Sequence, residues 1–344
     1  MIKGSKSNFF NSLKKKRIPL HVQIELTSKC NNDCIHCIRD KRIKDELKTS
    51  ELKDLISQLS ELGCLQLTFT GGEPLLRKDF FDICSYARAK GFALKLFTNA
   101  TLIDASKAKK LKELGFKEVR ITLFSYKDKT HDSITGNSGS FKKTMKAIGF
   151  LKRSKVPFFI SSVIMRNSIY DLEGLKERAV KNEWQFGYDP TIYPTYSGSR
   201  FPVLNRLSNS EIEYASKMGL LKCVKYGKLS SKWNELTYFY LANLHCYISS
   251  NGRIFPHATI RLESGNLRKN SFKEIWEDSL NLNWLRNLKI EDFDCFKCSN
   301  FLSCPWNLGL SLSDHGKITA KPKEYCRIAK ILTEGVEDEE RNAE

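Results

Sequence analysis

Three closely spaced cysteines are the part of this sequence best suited to chemistry. Cys30, Cys34 and Cys37 follow the spacing C-x3-C-x2-C, with polar turn residues between them and an apolar run before them. Because a four-iron cluster is normally closed by four cysteines, three thiolates would leave one iron open to a ligand from outside the protein. The alternatives are three buried thiols, or a zinc site with His36 as a fourth ligand. We expect an iron-sulfur cluster with an open iron.

The elements that must position this loop alternate between strand and helix. Apolar runs predict strands at residues 21–26, 65–70, 93–98, 119–124, 157–165 and 184–188. One helix is predicted from an N-cap at Ser50 to Gly63, and another from a cap at Asp104 to about Gly115. The other predicted helices span residues 78–90, 139–154, 172–182 and 210–219. Repeated strand-helix units predict a parallel sheet with helices on its outer face.

Polar and glycine-rich stretches follow four of these strands. They are the cysteine loop, Gly71 to Pro74, Thr98-Asn99, and Thr122 to Ser125. Loops at the carboxyl ends of parallel strands meet at one edge of the sheet and build active sites there. In Gly71-Gly72-Glu73-Pro74, the two glycines allow close approach of the backbone, and Glu73 can accept a hydrogen bond from an ammonium group. A plain turn is the alternative interpretation of this tetrapeptide.

Together these motifs resemble those of the radical S-adenosylmethionine (SAM) enzymes. The Gly-Gly-Glu-Pro stretch follows the second strand, 34 residues beyond Cys37, as the second motif of that family does. The resemblance implies that the three cysteines hold a four-iron cluster whose open iron binds SAM, and that His36 packs near the adenine. It also implies a set of SAM-binding residues, namely Gly71, Gly72, Glu73, Pro74, Asn99 and Thr122. The sequence departs from many relatives at residues 122–125, where Thr-Leu-Phe-Ser replaces Ser-Leu-Asp-Gly.

A second group of cysteines lies near the carboxyl end, at positions Cys295, Cys298, Cys304 and Cys326. Their spacing resembles the SPASM extension of radical SAM enzymes that modify peptides, as does the stretch from Cys246 to residue 276. The resemblance implies one auxiliary four-iron cluster on these four thiols, and a zinc site is the alternative. A full SPASM domain carries a second auxiliary cluster. Here His257 and Leu308 replace two of its cysteines, and Cys246 with His257 would supply too few ligands, so we expect that cluster to be absent.

The resemblance implies an α/β fold, a partial (β/α)6 radical SAM barrel with a C-terminal SPASM-like iron-sulfur domain. The expected divisions are a basic N-terminal segment (1–18), the barrel (19–190), a bridge (191–240), the SPASM-like domain (241–330) and a tail (331–344). Near the expected barrel mouth, Asp189, Tyr193 and Tyr196 are candidate substrate contacts.

Composition restricts the setting in which this chemistry takes place. The 344 residues include eleven cysteines and carry a net charge of +18. No apolar run approaches the roughly 20 residues needed to span a bilayer, and the basic residues 14–17 are not followed by the apolar core of a signal peptide. We therefore expect a cytoplasmic protein whose thiols serve metal sites rather than disulfides. The charge suits an acidic peptide, a nucleic acid or an acidic electron donor, and a solvated basic surface explains it equally well.

The overall layout most resembles the radical SAM peptide epimerases of the Bacillus epipeptide type. The resemblance implies that a 5'-deoxyadenosyl radical takes the α-hydrogen of an L residue in a ribosomally made peptide. Cys223, in the bridge across the barrel mouth, would then return a hydrogen and leave a D residue. Two other thiols, Cys64 and Cys84, are expected to be small buried hydrophobes. The alternative within this family is a maturase that forms thioether or carbon-carbon crosslinks, and the alternative outside it is a non-catalytic metal protein that binds nucleic acid.

The expected partners follow from this reaction. They are a precursor peptide and an electron donor such as flavodoxin or ferredoxin, with no membrane; nucleic acid is disfavoured because no basic stripe is interleaved with aromatics. No separate leader-binding domain is apparent in the sequence, so we expect the peptide to dock on the barrel, the bridge or the C-terminal domain.

Overall fold

A nine-stranded sheet forms the centre of the computed structural model, which describes residues 17–39, 43–221, 242–300, 304 and 307–341. The order of its strands is β6-β5-β4-β3-β2-β1-β7-β8-β9. Strands β1 to β7 run parallel, and β8 and β9 continue the sheet antiparallel to them. The strands are β1 His21–Glu25, β2 Gln66–Thr70, β3 Ala93–Thr98, β4 Glu118–Thr122, β5 Phe158–Val163, β6 Gln185–Asp189, β7 His245–Ile248, β8 Arg253–Phe255 and β9 Gly265–Asn266. The predicted α/β fold with a parallel sheet is confirmed.

Helices connect the parallel strands and continue beyond them. Those between the first six strands are α1 Thr49–Glu61, α2 Phe80–Ala89, α3 Ala105–Glu113, α4 Asp128–Thr135, α5 Ser140–Arg153 and α6 Leu172–Lys181. Those that follow are α7 Asn209–Lys217, α8 Phe272–Asp278, α9 Leu280–Asn287, α10 Leu308–His315 and α11 Lys323–Arg341. No helix in the described part of the chain is both long and apolar enough to cross a bilayer.

The two faces of the sheet differ in chemistry. Val22 and Ile24 of β1 are fully buried in the main hydrophobic cluster with the apolar sides of the helices. His21 and Glu25, at alternate positions, therefore point to the second face. On that face the neighbouring strands are also polar, and the His21 Nε2 lies 2.8 Å from the Thr68 Oγ1 of β2. The second face of the sheet is thus polar at β1 and β2.

Two local details differ from the predictions. Helix α1 begins at Thr49 rather than after a cap at Ser50, because the Glu51 carboxylate accepts the Lys48 N–H at 2.7 Å and fixes an earlier start. Helix α4 was not predicted, since its sequence is short and polar. It ends at Gly136, whose φ of 60° lies in the left-handed region that favours glycine.

Strand β7 shows that the carboxyl-terminal part of the chain begins inside the same sheet. It pairs in parallel with β1, and His21 lies opposite His245. After β6 the chain crosses towards this side, where the Tyr196 N–H donates to the Ile38 carbonyl at 2.9 Å and the Asn205 Nδ2 donates to the Ile35 carbonyl at 3.2 Å. The segment after β6 therefore packs on the cysteine loop. Residues 222–241, including Cys223, lie outside the described residues.

Candidate active site

One cavity of about 260 Å³ gathers most of the predicted site residues. It lies at the carboxyl ends of β1 to β4, as the sequence predicted. Eight residues with an expected cluster or SAM role line it: Cys30, Cys34, His36, Cys37, Gly71, Gly72, Asn99 and Thr122. Arg39, Phe124 and His131 also line it and were not predicted.

The cysteine loop is held from two sides. At its start, the Glu46 carboxylate accepts hydrogen bonds from Thr27 Oγ1 at 3.0 Å and from the Ser28 N–H at 2.7 Å. At its middle, the Asp33 and Ile35 N–H groups donate to carbonyls at the end of α4, at 2.7 and 3.1 Å. Helix α4 therefore has a role that its sequence did not reveal, since it supports the loop that carries the three thiols.

The two glycines of the Gly-Gly-Glu-Pro stretch allow this loop to come close. The Gly72 N–H donates to the Thr27 carbonyl at 2.7 Å, and the Glu73 N–H donates to the Lys29 carbonyl at 2.8 Å. A Cβ atom at Gly72 would lie 1.8 Å from the Lys29 oxygen, and one at Gly71 would lie 2.5 Å from the Thr27 oxygen. The close approach is thus between two segments of backbone, which locks the second motif against the first.

Glu73 is fully buried, and its carboxylate is occupied by protein groups. It accepts hydrogen bonds from the Thr98 hydroxyl at 2.8 Å, the Asn99 N–H at 2.9 Å and the Leu75 N–H at 3.1 Å. Burial raises the pKa of Glu73, and these hydrogen bonds oppose that rise. The residue therefore fixes the end of β3, and its contact with the SAM ammonium stays a prediction. Pro74 is buried at the start of a short 3-10 helix.

Asn99 connects the end of β3 to the cysteine loop. Its side-chain amide donates to Asn31 Oδ1 at 2.9 Å and lies 3.9 Å from the Cys30 sulfur. His36 packs edge-on against Phe124, with ring centroids 4.8 Å apart. Burial lowers the pKa of His36 to about 4, so the imidazole is neutral at physiological pH. These contacts suit the predicted packing role of His36 near an adenine.

The three thiols face one another in this cavity. Burial, together with the neighbouring Cys37 and Cys30, raises the pKa of Cys34 to about 12. Three thiolates this close therefore need a bound cation, which fits the cluster that the spacing predicts. A positive charge close to them belongs to Arg39, whose Nη2 lies 3.9 Å from the Cys37 sulfur and whose Nη1 lies 3.6 Å from the buried Glu25 carboxylate. The position of Arg39, two residues after the last cysteine of the motif, could have identified it from the sequence as a residue of this site.

Three of the later cysteines, Cys295, Cys298 and Cys326, lie close to one another. Burial raises the pKa of Cys295 to about 11, and the nearby thiols of Cys326 and Cys298 contribute to this rise. Cys304 lies close enough to the residue before Cys326, Tyr325, to raise its pKa. The Cys298 N–H donates to the Cys295 carbonyl at 3.0 Å, which closes the turn between the first two. The arrangement fits the auxiliary cluster expected on these residues.

The remaining SPASM-like positions do not form a second site among the described residues. Cys246 is fully buried in the main core beside Val22, whereas the ring of His257 packs 5.5 Å from that of His245, on the second face of the sheet. Cys246 and His257 therefore lie on opposite faces and do not share a metal ion. Leu308 is buried at the start of α10. As expected, Cys64 and Cys84 are buried, and burial raises the pKa of Cys64 to about 12.

The candidate substrate contacts after β6 differ in their surroundings. Asp189 accepts a hydrogen bond from the Thr191 N–H at 2.7 Å. Burial raises the pKa of Tyr193, whose hydroxyl bonds with Asn307 and Thr259. Tyr193 thus joins the segment after β6 to the carboxyl-terminal part, and its substrate role, like that of Asp189, stays a prediction.

Comparison with known proteins agrees with this geometry. Residues 24–179 match the radical SAM superfamily, and residues 241–299 match the SPASM iron-sulfur cluster-binding domain. An AdoMet-dependent heme synthase of Methanosarcina barkeri is 26% identical over 293 residues, which cover 76% of this chain and 83% of the relative. A PqqA peptide cyclase of Bradyrhizobium diazoefficiens is 28% identical over 166 residues, 47% of this chain and 44% of the relative.

Two solved structures share the fold. Streptococcus suis SuiB bound to precursor peptide SuiA superposes with a TM-score of 0.70 at 15% identity, covering 94% of this chain and 80% of its own. The enzyme anSMEcpe with bound AdoMet also superposes with a TM-score of 0.70, at 20% identity. The match covers 94% of this chain and 99% of anSMEcpe. The domain matches favour iron-sulfur clusters over zinc at both cysteine sites. The chain is therefore a radical SAM enzyme with a C-terminal SPASM iron-sulfur cluster-binding domain.

Proposed function

We propose that this enzyme converts L to D residues in a ribosomally made peptide. The observation that carries the choice of reaction is the incomplete second auxiliary site, where Cys246 packs in the core and Leu308 begins a helix. Epimerisation removes one hydrogen atom and returns one, so it needs no net electron acceptor. A chain with one complete auxiliary site suits such a redox-neutral reaction.

The described residues have separate tasks in this reaction. When bound, the cluster and SAM supply hydrogen-atom abstraction, and the protein supplies binding and orientation. Cys30, Cys34 and Cys37 would hold the cluster, while Gly71, Asn99 and Thr122 form the cavity wall that would face SAM. The segment after β6 packs on the cysteine loop through Tyr196 and limits the access of water to the mouth.

The second hydrogen donor in this proposal is Cys223. The S–H bond of the thiol would break and a C–H bond would form at the substrate carbon, on the face opposite to the one that lost its hydrogen, which leaves a sulfur radical on Cys223. Cys295, Cys298, Cys304 and Cys326 would hold the auxiliary cluster, which would supply the electron that, with a proton from water, restores the Cys223 thiol.

An oxidative reaction is the second candidate. The PqqA peptide cyclase and the heme synthase described above are 28% and 26% identical to this chain, and the match covers 83% of the heme synthase. Under this candidate, the enzyme would crosslink a peptide or act in heme formation, and a crosslinked peptide would have lost two hydrogens. The mass of the product therefore separates the two candidates.

The experiment uses the reconstituted enzyme under anaerobic conditions. Wild type, Cys223→Ala and the control Cys84→Ala are incubated in deuterated water with SAM, reductant and the candidate precursor peptide encoded near the gene. Cys84 is a suitable control because it is fully buried in the core. We expect deoxyadenosine from all three, and deuterium with D residues from the wild type and Cys84→Ala only.

Three outcomes contradict the proposal. A wild-type peptide that is two hydrogens lighter supports crosslinking instead. Conversion of a porphyrin to heme, tested in a parallel reaction, supports the oxidative reaction of the heme synthases. A Cys223→Ala enzyme that still inserts deuterium and forms D residues shows that Cys223 is not the donor.

A further inference from the structure

Arg261 holds its guanidinium group between two aromatic rings. The group lies 3.6 Å from the centroid of Phe255 and 3.9 Å from that of Tyr196, and the ring of Tyr247 is 5.8 Å away. Stacking of this kind fixes the plane of a guanidinium and covers its faces. Only the edge of the group, which carries the N–H donors, is left to bind a ligand.

The described residues supply no hydrogen-bond acceptor for the buried part of that edge. The Nη1 atom of Arg261 is buried and has no hydrogen-bond partner. A buried donor without an acceptor costs free energy, so its presence in a native fold calls for an explanation. A ligand that brings its own acceptor is such an explanation.

No hydrogen bond joins Arg261 to the carboxylate of Glu25, although the Oε1 atom of that carboxylate is itself buried without a hydrogen-bond partner in the described part of the chain. The carboxylate accepts the Tyr247 hydroxyl at 2.7 Å and faces Arg39 at 3.6 Å. Two guanidinium groups and one carboxylate therefore surround Tyr247, and Arg39 also faces the sulfur of Cys37. The positive charge of Arg261 is the one in this group without a bonded anion.

The position of Arg261 places this charge beside the active-site mouth. Tyr196, which stacks on Arg261, donates its N–H to the carbonyl of Ile38, the residue after Cys37. Arg39, two residues from Cys37, lines the cavity itself. Arg261 is not among the residues that line this cavity, so a substrate reaches it by extending from the cavity past the cluster loop.

We propose that Arg261 binds a carboxylate of the peptide substrate, either an acidic side chain or the C-terminus, and so selects acidic peptides. This inference rests on the proposed function, because it takes the substrate to be a peptide. A guanidinium edge matches a carboxylate with two parallel hydrogen bonds, and the fixed plane lowers the entropy lost on binding. The net charge of +18 favours the approach of the same class of partner.

The test measures binding rather than turnover. The probe is the fluorescein-labelled precursor peptide encoded near the gene, compared with a version in which Asp and Glu are replaced by Asn and Gln and the C-terminus is an amide. Reconstituted wild type, Arg261→Met and Arg261→Lys are titrated by anisotropy. The control is Arg253→Met, which removes an arginine from a half-exposed ion pair with Glu263 at 3.5 Å.

We expect Arg261→Met to weaken binding of the acidic peptide by roughly ten- to hundredfold, the size of two charge-assisted hydrogen bonds after partial screening. The amide peptide should bind equally to wild type and Arg261→Met. The affinity of Arg261→Lys for the acidic peptide should lie between those of wild type and Arg261→Met, because an ammonium keeps the charge and loses the planar edge. Arg253→Met should bind like wild type.

Several results would overturn the carboxylate site. One is an equal loss of affinity for the acidic and the amide peptide in Arg261→Met, which indicates a structural role for the arginine. Another is a wild-type enzyme that binds the two peptides with the same affinity. The two proposals fail separately. An acidic peptide that binds through Arg261 and is not epimerised contradicts the proposed reaction alone, whereas an epimerised peptide whose binding ignores Arg261 contradicts this inference alone.

Discussion

Substitution of Gly72 by alanine would separate the two motifs of the active site. The new Cβ would stand 1.8 Å from the Lys29 oxygen, and such contacts are not found below 3.0 Å, so the loop must move by at least 1.2 Å (3.0 minus 1.8). The hydrogen bonds to Lys29 and Thr27, now 2.8 and 2.7 Å long, would break. At about 0.5–1.5 kcal/mol each, their loss costs about 1–3 kcal/mol. Cys30, the next residue after Lys29, would be displaced by a similar distance.

We expect this displacement to impair the SAM-binding cluster and spare the auxiliary one. The assay is anaerobic reconstitution of Gly72→Ala, followed by iron and sulfide analysis and by electron paramagnetic resonance of the reduced protein with and without SAM. The signal that changes on SAM addition should be weak or absent, and that of the auxiliary cluster should persist. Gly149→Ala is the matched control, because its Cβ meets only the flexible end of Arg153 at 3.4 Å.

Normal iron content together with a normal SAM-dependent signal in Gly72→Ala would refute the reasoning. It would mean that the cysteine loop moves by more than an ångström without consequence for the cluster. Loss of both clusters would point instead to global misfolding, which the melting temperature of Gly72→Ala against Gly149→Ala would reveal.

Three further predictions concern other parts of the molecule. Tyr247→Phe removes the 2.7 Å hydrogen bond to the buried Glu25 carboxylate and should lower the free energy of unfolding by about 1.5–3 kcal/mol in chemical denaturation; an unchanged midpoint would contradict this. Burial, Lys95 and His257 lower the pKa of His21 to about 4, so the unfolded chain binds more protons between pH 6.5 and 4. Stability should therefore fall as the pH drops through that window, with a shallower slope in His21→Asn; equal slopes would argue against His21. Cys326→Ser should lower the iron content by about four atoms per chain, the content of one cluster, while SAM binding persists; an unchanged content would show that Cys326 is not a ligand.

The cluster loop and the strands around it were predictable because their signals are local. Three cysteines within eight residues lie in one loop, whatever the rest of the chain does. Period-two apolar runs are similarly local, and β1 to β6 fall within a few residues of the predicted ranges. The rule that loops after parallel strands share an edge then brought Gly71, Asn99 and Thr122 to the cavity where they are found.

Helix α4 and the capping of α1 show where local signals are too weak. Helix α4 is short and polar, and its role in holding Asp33 and Ile35 depends on a contact about a hundred residues away in sequence. The start of α1 depends on which neighbouring side chain caps the helix. The Glu51 side chain bonds to the Lys48 backbone and fixes the start at Thr49, whereas Ser50 does not act as the cap. Small differences in free energy decide where a helix starts and whether a short polar helix forms, and these differences cannot be read from the local sequence.

The sequence by itself determined the cysteine loop, the Gly-Gly-Glu-Pro motif, the alternating fold and the two groups of cysteines that we expect to bind iron-sulfur clusters. Only the tertiary structure decided that Cys246 and His257 lie on opposite faces of the sheet, and that Arg39, Glu25, Tyr247 and Arg261 form one charged group. Glu25 and Tyr247 are 222 residues apart in the chain. They meet because β7 pairs in parallel with β1, and pairing between distant strands follows from the burial of the whole sheet rather than from any local pattern.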